Sequence, residues 1–88
     1  MYKKANGIRE REEGDKLLLY DTKRSNLAVV EGMGKAVWML LPEMSLEEIE
    51  SKLLEFHPEE QEMVKEYFSK FIEELVENNF LVKVKENP

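Results

Sequence analysis

Cysteine is missing from this 88-residue chain, and that absence removes several chemistries at once. Disulfides, thiolate nucleophiles and cysteine-based zinc sites are all excluded. Histidine is nearly missing too: His57 stands alone and is followed directly by Pro58. One imidazole with no positioned partner is a poor basis for acid–base or metal chemistry, and it reads as a residue at a helix end. The longest apolar run, Ala36 to Leu41, is six residues. A bilayer span needs roughly 20, and nothing resembles the apolar region of a secretory signal. The expectation is a cytoplasmic protein that does not engage membranes. The four glycines form no phosphate-binding pattern; Gly32-x-Gly34 lacks the rest of the dinucleotide fingerprint. No cofactor is implied.

What remains is a folded, soluble composition, with 42% apolar and 36% charged residues. Such a balance excludes a disordered chain. The length makes residues 1–88 a single small domain with a modest core. Charge is unevenly spread. Residues 1–30 carry seven basic and five acidic side chains, whereas residues 31–88 carry six basic and fourteen acidic. The second half is therefore strongly acidic, which discourages contact with phosphate backbones and anionic surfaces.

The order of segments predicts an α+β fold. It has the plan of a winged helix-turn-helix: a small three-stranded antiparallel sheet followed by a three-helix cluster. Residues 1–6 carry little pattern and are read as a mobile end. Gly7 to Glu12 is a short, heavily charged strand, and Glu13-Gly14-Asp15 is a turn with Gly14 available for positive φ. Lys16 to Asp21 is apolar on both faces, as a central strand between two layers would be. Thr22 to Ser25 turns the chain into a third strand, Asn26 to Val30. Short turns favour a meander.

The first helix is expected from Glu31 or Gly32, with Met33, Ala36, Val37, Leu40 and Leu41 as its buried stripe and Pro42 as its stop. Trp38 falls off that stripe; it either covers a seam between helices or anchors a protein partner. Ser45 and Glu48 have the spacing of a capping box that starts the second helix, with Leu46, Ile49, Leu53 and Phe56 facing inward. Pro58 is placed as the first residue of the third helix, whose inner stripe is Val64, Phe68, Phe71, Ile72 and Leu75. Asn79 suits the left-handed conformation after that helix. The tail from Phe80 to Val84 alternates in the manner of a small extra strand.

No reaction centre emerges from these elements, so the chain is not read as an enzyme. The Glu47-Glu48, Glu59-Glu60 and Glu73-Glu74 pairs read as solvated helix faces, because neighbours on a helix point in different directions. The sheet edges are more informative. Natural proteins guard exposed edges with charge. Arg9, Glu10, Arg11 and Glu12 guard the first strand, but no charge lies between Asn26 and Val30. An unguarded edge is either covered, by the protein's own chain or a dimer mate, or open to a guest peptide that adds as a strand. In the second case Asn26, Leu27, Ala28, Val29 and Val30 supply the pairing edge, and Tyr67, Lys70, Phe71 and Glu74 are the candidate facing wall on the third helix. A DNA-binding regulator is the rival reading. It is disfavoured because the helix from Glu59 to Asn78 holds seven glutamates against Lys65 and Lys70, where a recognition helix needs Lys or Arg. A structural dimerisation module is a further alternative, and the oligomeric state is left as monomer or homodimer.

The segments Leu18-Leu19-Tyr20-Asp21, Gly34 to Leu41, Ser45-Leu46-Glu47-Glu48-Ile49, Phe71 to Leu75 and Asn79-Phe80-Leu81 occur in an order and spacing that resembles the PqqD-like family, over about residues 7 to 82. This family provides recognition elements for ribosomally made, post-translationally modified peptides. The chain departs from the family pattern at Val30-Glu31, at Pro42-Glu43 and at Asn79, where Leu-Asn, a glycine and a glycine respectively are common. The resemblance implies a winged helix-turn-helix-like fold without catalysis. It also implies that the leader of a precursor peptide is bound as a strand against the third strand, beside the third helix. The peptide would then be handed to a modifying enzyme, a radical SAM enzyme in pyrroloquinoline quinone biosynthesis.

Overall fold

Turn chemistry sets the sheet. The computed structural model describes residues 2–41 and 43–84. Gly14 at φ 62° and Ser25 at φ 56° fold β2 (Ile8–Glu13), β3 (Lys16–Asp21) and β4 (Asn26–Glu31) into an antiparallel meander in the order β2-β3-β4. Its register pairs Leu19 with Glu10 on one side and with Ala28 on the other. The β3–β4 turn is held by Asp21, whose carboxylate is fully buried and accepts from the backbone N–H of Lys23 at 2.9 Å and of Arg24 at 3.2 Å. The Arg24 guanidinium lies 3.4 Å from the same carboxylate. Thr22 ties the turn to the segment before β2, its N–H and hydroxyl donating to the Gly7 carbonyl at 3.0 and 2.9 Å.

Three helices follow: α1 (Met33–Leu40), α2 (Leu46–Phe56) and α3 (Gln61–Glu77). Leu17, Leu19 and Val30 project from one sheet face into a core shared with Val37, Trp38, Ile49, Val64, Phe68 and Leu75. The fold is thus α+β, with three antiparallel strands in one sheet and three helices. The other sheet face is open. Leu27 is 63% exposed and Val29 51%, and Tyr20 is also exposed. β3 is central as expected, but the anticipated second covering layer is absent among the described residues; apolar side chains on both sides of a strand do not guarantee two layers.

Several expectations are corrected. The segment read as patternless and mobile holds β1 (Tyr2–Lys4), which pairs antiparallel with β5 (Leu81–Lys83), the tail strand anticipated between Phe80 and Val84. Three residues are too few to show a period, so only the pairing partner reveals β1. The pair forms the floor beneath α1: Phe80 and Leu81 are buried, and the Lys4 ammonium lies 4.5 Å from the centroid of the Trp38 ring. Helix α1 does not bury the stripe expected of it. Gly34, Val37 and Trp38 are buried while Ala36 is exposed, so Trp38 is neither a seam cover nor a surface anchor but part of the core. Helix α1 starts at Met33 after Gly32, at φ 56°, and ends at Leu40; the stop expected at Pro42 lies outside the described residues.

The capping box at Ser45 and Glu48 forms as the spacing predicts, with reciprocal bonds of 3.2 Å. Phe56 does not face inward. It is 77% exposed, because it lies in the last turn of α2, beyond Leu53, where the core ends. The third helix starts at Gln61 rather than Pro58. His57 to Glu60 instead close a turn, with the Glu60 N–H donating to the His57 carbonyl at 3.1 Å and Pro58 in the second position that proline favours. Asn79 adopts φ 65° as expected, ending α3 and sending the chain into β5.

Candidate functional site

Strand β4 is an edge. It pairs with β3 on one side, and among the described residues no strand pairs with the other. Alternate residues of an edge strand direct their N–H and C=O groups outward, where they form a template for another chain. Nothing charged guards this edge from Asn26 to Val30; Glu31 stands at its end.

Helix α3 runs beside the edge and makes a groove with it. Tyr67, Lys70, Phe71, Glu74 and Asn78 follow the i, i+3, i+4, i+7, i+11 spacing of one helical stripe. A cavity of 210 Å³ is lined by Asn26 through Val30 on one side and by Phe71, Glu74, Leu75, Asn78 and Phe80 on the other. An adjoining cavity of 350 Å³ is lined by Val29, Val30, Glu31, Tyr67, Lys70, Phe71 and Glu74. All nine residues singled out from the sequence therefore border one continuous feature, the first five from the strand and the other four from the helix. The stripe that lines it is a flank of the helix; Val64, Phe68 and Ile72 on the neighbouring face serve the core.

The groove is graded along its length. At one end the Asn26 side-chain amide donates to the Asn78 carbonyl at 3.4 Å, joining strand to helix through neutral groups. Between the ends the small Ala28 stands across from Phe71, Leu75 and Phe80, with Glu74 on the same wall. The other end is mixed: Val29, Val30 and Phe71 are apolar, and Glu31, Tyr67, Lys70 and Glu74 add polar and charged groups. The Tyr67 and Phe71 rings stack with centroids 5.9 Å apart and planes 7° from parallel. Both rest on Gly34: a Cβ there would meet the Tyr67 hydroxyl at 2.9 Å and Phe71 Cε1 at 3.0 Å. Burial pushes the Tyr67 phenol above its ordinary pKa; the Gly34 backbone pulls the other way, and the Glu74 and Glu31 carboxylates add to the rise. Lys70 pairs with Glu66 at 3.4 Å, one turn back.

Five residues of this feature are not evident from sequence pattern: Glu31, Leu75, Asn78, Phe80 and Gly34. Extending the Tyr67–Glu74 stripe by one turn reaches Asn78. Leu75 reads as wholly core, yet it serves both core and groove. Phe80 reaches the groove only because Asn79 reverses the chain, and Gly34 only through packing between α1 and α3; local pattern carries neither fact. Among the described residues no group of three or more His, Asp or Glu side chains could hold a metal ion, and no helix is long and apolar enough to cross a membrane.

Two comparisons, with family models and with curated proteins, give no match. Among solved structures, TbiB1 in complex with the TbiA(beta) leader peptide superposes with a TM-score of 0.81, covering 96% of this chain and 99% of that chain at 18% identity. At that identity the likeness establishes the fold: this α+β arrangement is one shared with a protein solved in complex with a leader peptide.

Proposed function

We propose that this protein is a non-catalytic peptide chaperone that binds the leader of a ribosomal precursor peptide by strand addition and presents it to a modifying enzyme. The observation that carries the reading is the open, uncharged β4 edge lying against a groove walled by α3. Main-chain groups of β4 would pair with the guest backbone, while the groove takes its alternate side chains. The edge supplies affinity independent of sequence, and the groove supplies selection. The fold shared with TbiB1, which was solved with a leader peptide, supports the same reading. So does the resemblance of the sequence to the PqqD-like family, in which the receiving enzyme of the pyrroloquinoline quinone pathway is a radical SAM enzyme.

The reading needs no reacting group in the groove, since the chemistry would belong to the enzyme that receives the peptide. A cytoplasmic setting follows from the same logic, because leader and enzyme meet where the precursor is translated. The deciding experiment is backbone amide NMR of the labelled protein with and without a candidate leader peptide. Amides of residues 26–30 shift, and those of Tyr67 to Glu74 follow. If residues 26–30 stay unshifted at saturating peptide, strand addition at β4 is wrong.

A further inference from the structure

The open sheet face breaks the usual alternation. In an antiparallel sheet with one covered face, the residues pointing away from the core are normally polar. Strand β2 follows that rule with Arg9, Arg11 and Glu13, whose partners on β3 are Tyr20, Leu18 and Lys16. Strands β3 and β4 do not. Leu17, Leu19 and Val30 are buried, so Leu18, Tyr20, Leu27 and Val29 point the other way. The register joins these side chains into two rows across the sheet, Arg9-Tyr20-Leu27 and Arg11-Leu18-Val29.

Each row is charged at its β2 end and apolar at its β4 end. On β2, Arg11 pairs with Glu13 at 2.9 Å, and both remain in contact with solvent. Exposure of the apolar side chains grows in the other direction: Leu18 is half-buried, Tyr20 is more exposed, and Leu27 and Val29 are the most exposed of the four. The cause is a missing neighbour. A side chain inside a sheet is flanked by one on each adjoining strand, whereas among the described residues Leu27 and Val29 are flanked on the β3 side alone. The apolar surface is therefore not centred on the sheet face. It gathers along the line where a further strand would lie, and exposed apolar surface of this kind marks a place of contact.

In an added strand each guest side chain projects to the same face as its neighbour on β4. Guest residues beside Ala28 and Val30 enter the groove, and those beside Leu27 and Val29 extend the two rows. We infer that the guest peptide carries two aliphatic or aromatic residues, at positions i and i+2, that pack on Leu27 and Val29 on the sheet face away from α3. The inference rests on the strand-addition reading and gives it a second recognition surface: the peptide is read on both faces, by the groove and by the open sheet. A polar or charged guest residue at either position would stay hydrated, but Leu27 or Val29 would then stay exposed and the gain of the cross-strand pair would be lost. A guest that is apolar only on its groove side therefore binds less tightly than one that is apolar on its outer side as well.

The test uses the intact protein, labelled for NMR, and a phage-displayed library of short random peptides. A selected peptide that shifts amides 26–30 shows intermolecular NOEs from the Leu27 and Val29 methyl groups to two of its side chains, two positions apart, and both are aliphatic or aromatic. The peptide is then titrated by fluorescence anisotropy against the wild type, Leu27→Thr, Val29→Thr and Phe56→Ser. Threonine suits a strand, and Phe56 is an exposed apolar control on α2 that lines neither groove cavity. Each threonine variant weakens binding by about two- to fivefold. Serine at the matching peptide position does the same, and the two changes together cost little more than either alone. Phe56→Ser binds as the wild type does. If the peptides shift amides 26–30 but carry polar residues beside Leu27 and Val29, and bind both threonine variants unchanged, this inference is overturned and strand addition survives. If no selected peptide shifts amides 26–30, strand addition itself falls and takes the second surface with it.

Discussion

Gly34→Ala is the sharpest single probe of how α1 shapes the groove. Gly34 lies in the first turn of α1 with an ordinary helical backbone, so alanine fits the chain and by propensity alone gains about 0.5–1 kcal/mol. Its Cβ, however, would stand 2.9 Å from the Tyr67 hydroxyl and 3.0 and 3.2 Å from two ring atoms of Phe71. Overpacking of this kind costs about 1–3 kcal/mol. Tyr67 is 40% exposed, so the tip of its side chain can swing away. Phe71 is half-buried and stacked on Tyr67, so the two rings shift together and the cost falls on Phe71. The balance is a loss of up to about 2 kcal/mol, a fall in melting temperature of roughly 4–16 °C if the loss lies between 1 and 2 kcal/mol.

Groove shape reports the same event more directly. Rings pushed off Gly34 move over the groove, so peptide affinity falls by more than the stability change alone would produce. Tyr67→Phe removes the nearest clashing atom but leaves Phe71 in place, so the double variant recovers part of the loss, with a coupling on the order of 0.5–1 kcal/mol. Thermal melts by circular dichroism give the stability terms, and ring proton shifts of Tyr67 and Phe71 follow the displacement. A melting temperature equal to or above that of the wild type, with both rings unmoved, would refute the close approach and with it the role of α1 in shaping the groove.

Trp38→Ala removes the largest fully buried side chain. The expected loss of about 3–5 kcal/mol is a large share of the ~5–15 kcal/mol that holds a small domain together, and urea unfolding should show a midpoint far below that of the wild type. Ser45→Ala breaks the capping box of α2, where both bonds measure 3.2 Å; the loss is about 1 kcal/mol, or roughly 4–8 °C in melting temperature. Asp21 gives a pH signature. Burial pushes its pKa up, but the Lys23 and Arg24 N–H groups and the Arg24 guanidinium outweigh burial and hold it below the ordinary 3.8. Its contribution is therefore complete above pH 3.8 and is lost as pH falls through the lower, folded-state pKa. Asp21→Asn should flatten that acid limb in stability measured between neutral and strongly acidic pH, and an unchanged limb would assign acid unfolding to other carboxylates.

The elements legible in the sequence are those whose cause is local. Alternation and Gly14 mark the meander; Ser45 and Glu48 mark the start of α2; Asn79 marks the end of α3. The absence of charge from Asn26 to Val30 marks the edge in the sequence itself, because guarding an edge is a local, compositional device. What escaped has causes distant in the chain. β1 exists only because β5 returns beside it, and burial of Trp38 depends on the floor those two strands make. A helical wheel for α1 places Val37 on the inner face but does not tell whether Trp38 or Ala36 lies beside it. The start of α3 is ambiguous in sequence because proline suits both the first position of a helix and the second position of a turn; the bond from Glu60 to the His57 carbonyl decides between them.

An open apolar edge is a hazard for any protein, since a second copy can pair with it as readily as a peptide can. Here the wall beside the edge weighs against self-pairing. Two β4 edges meeting around a two-fold axis would each bring an α3 along, and α3 with the residues before it carries Glu60, Glu62, Glu66, Glu73, Glu74 and Glu77. Each protomer has a net charge of −6, with −8 in residues 31–88 set against +2 in residues 1–30, so the approach of two edges concentrates like charges across the contact. A lone extended peptide brings no such wall. Edge and helix thus treat the two kinds of visitor differently. An uncharged strand edge leaves its backbone groups open to an extended chain, while an acidic helix beside it penalises a second copy of the protein.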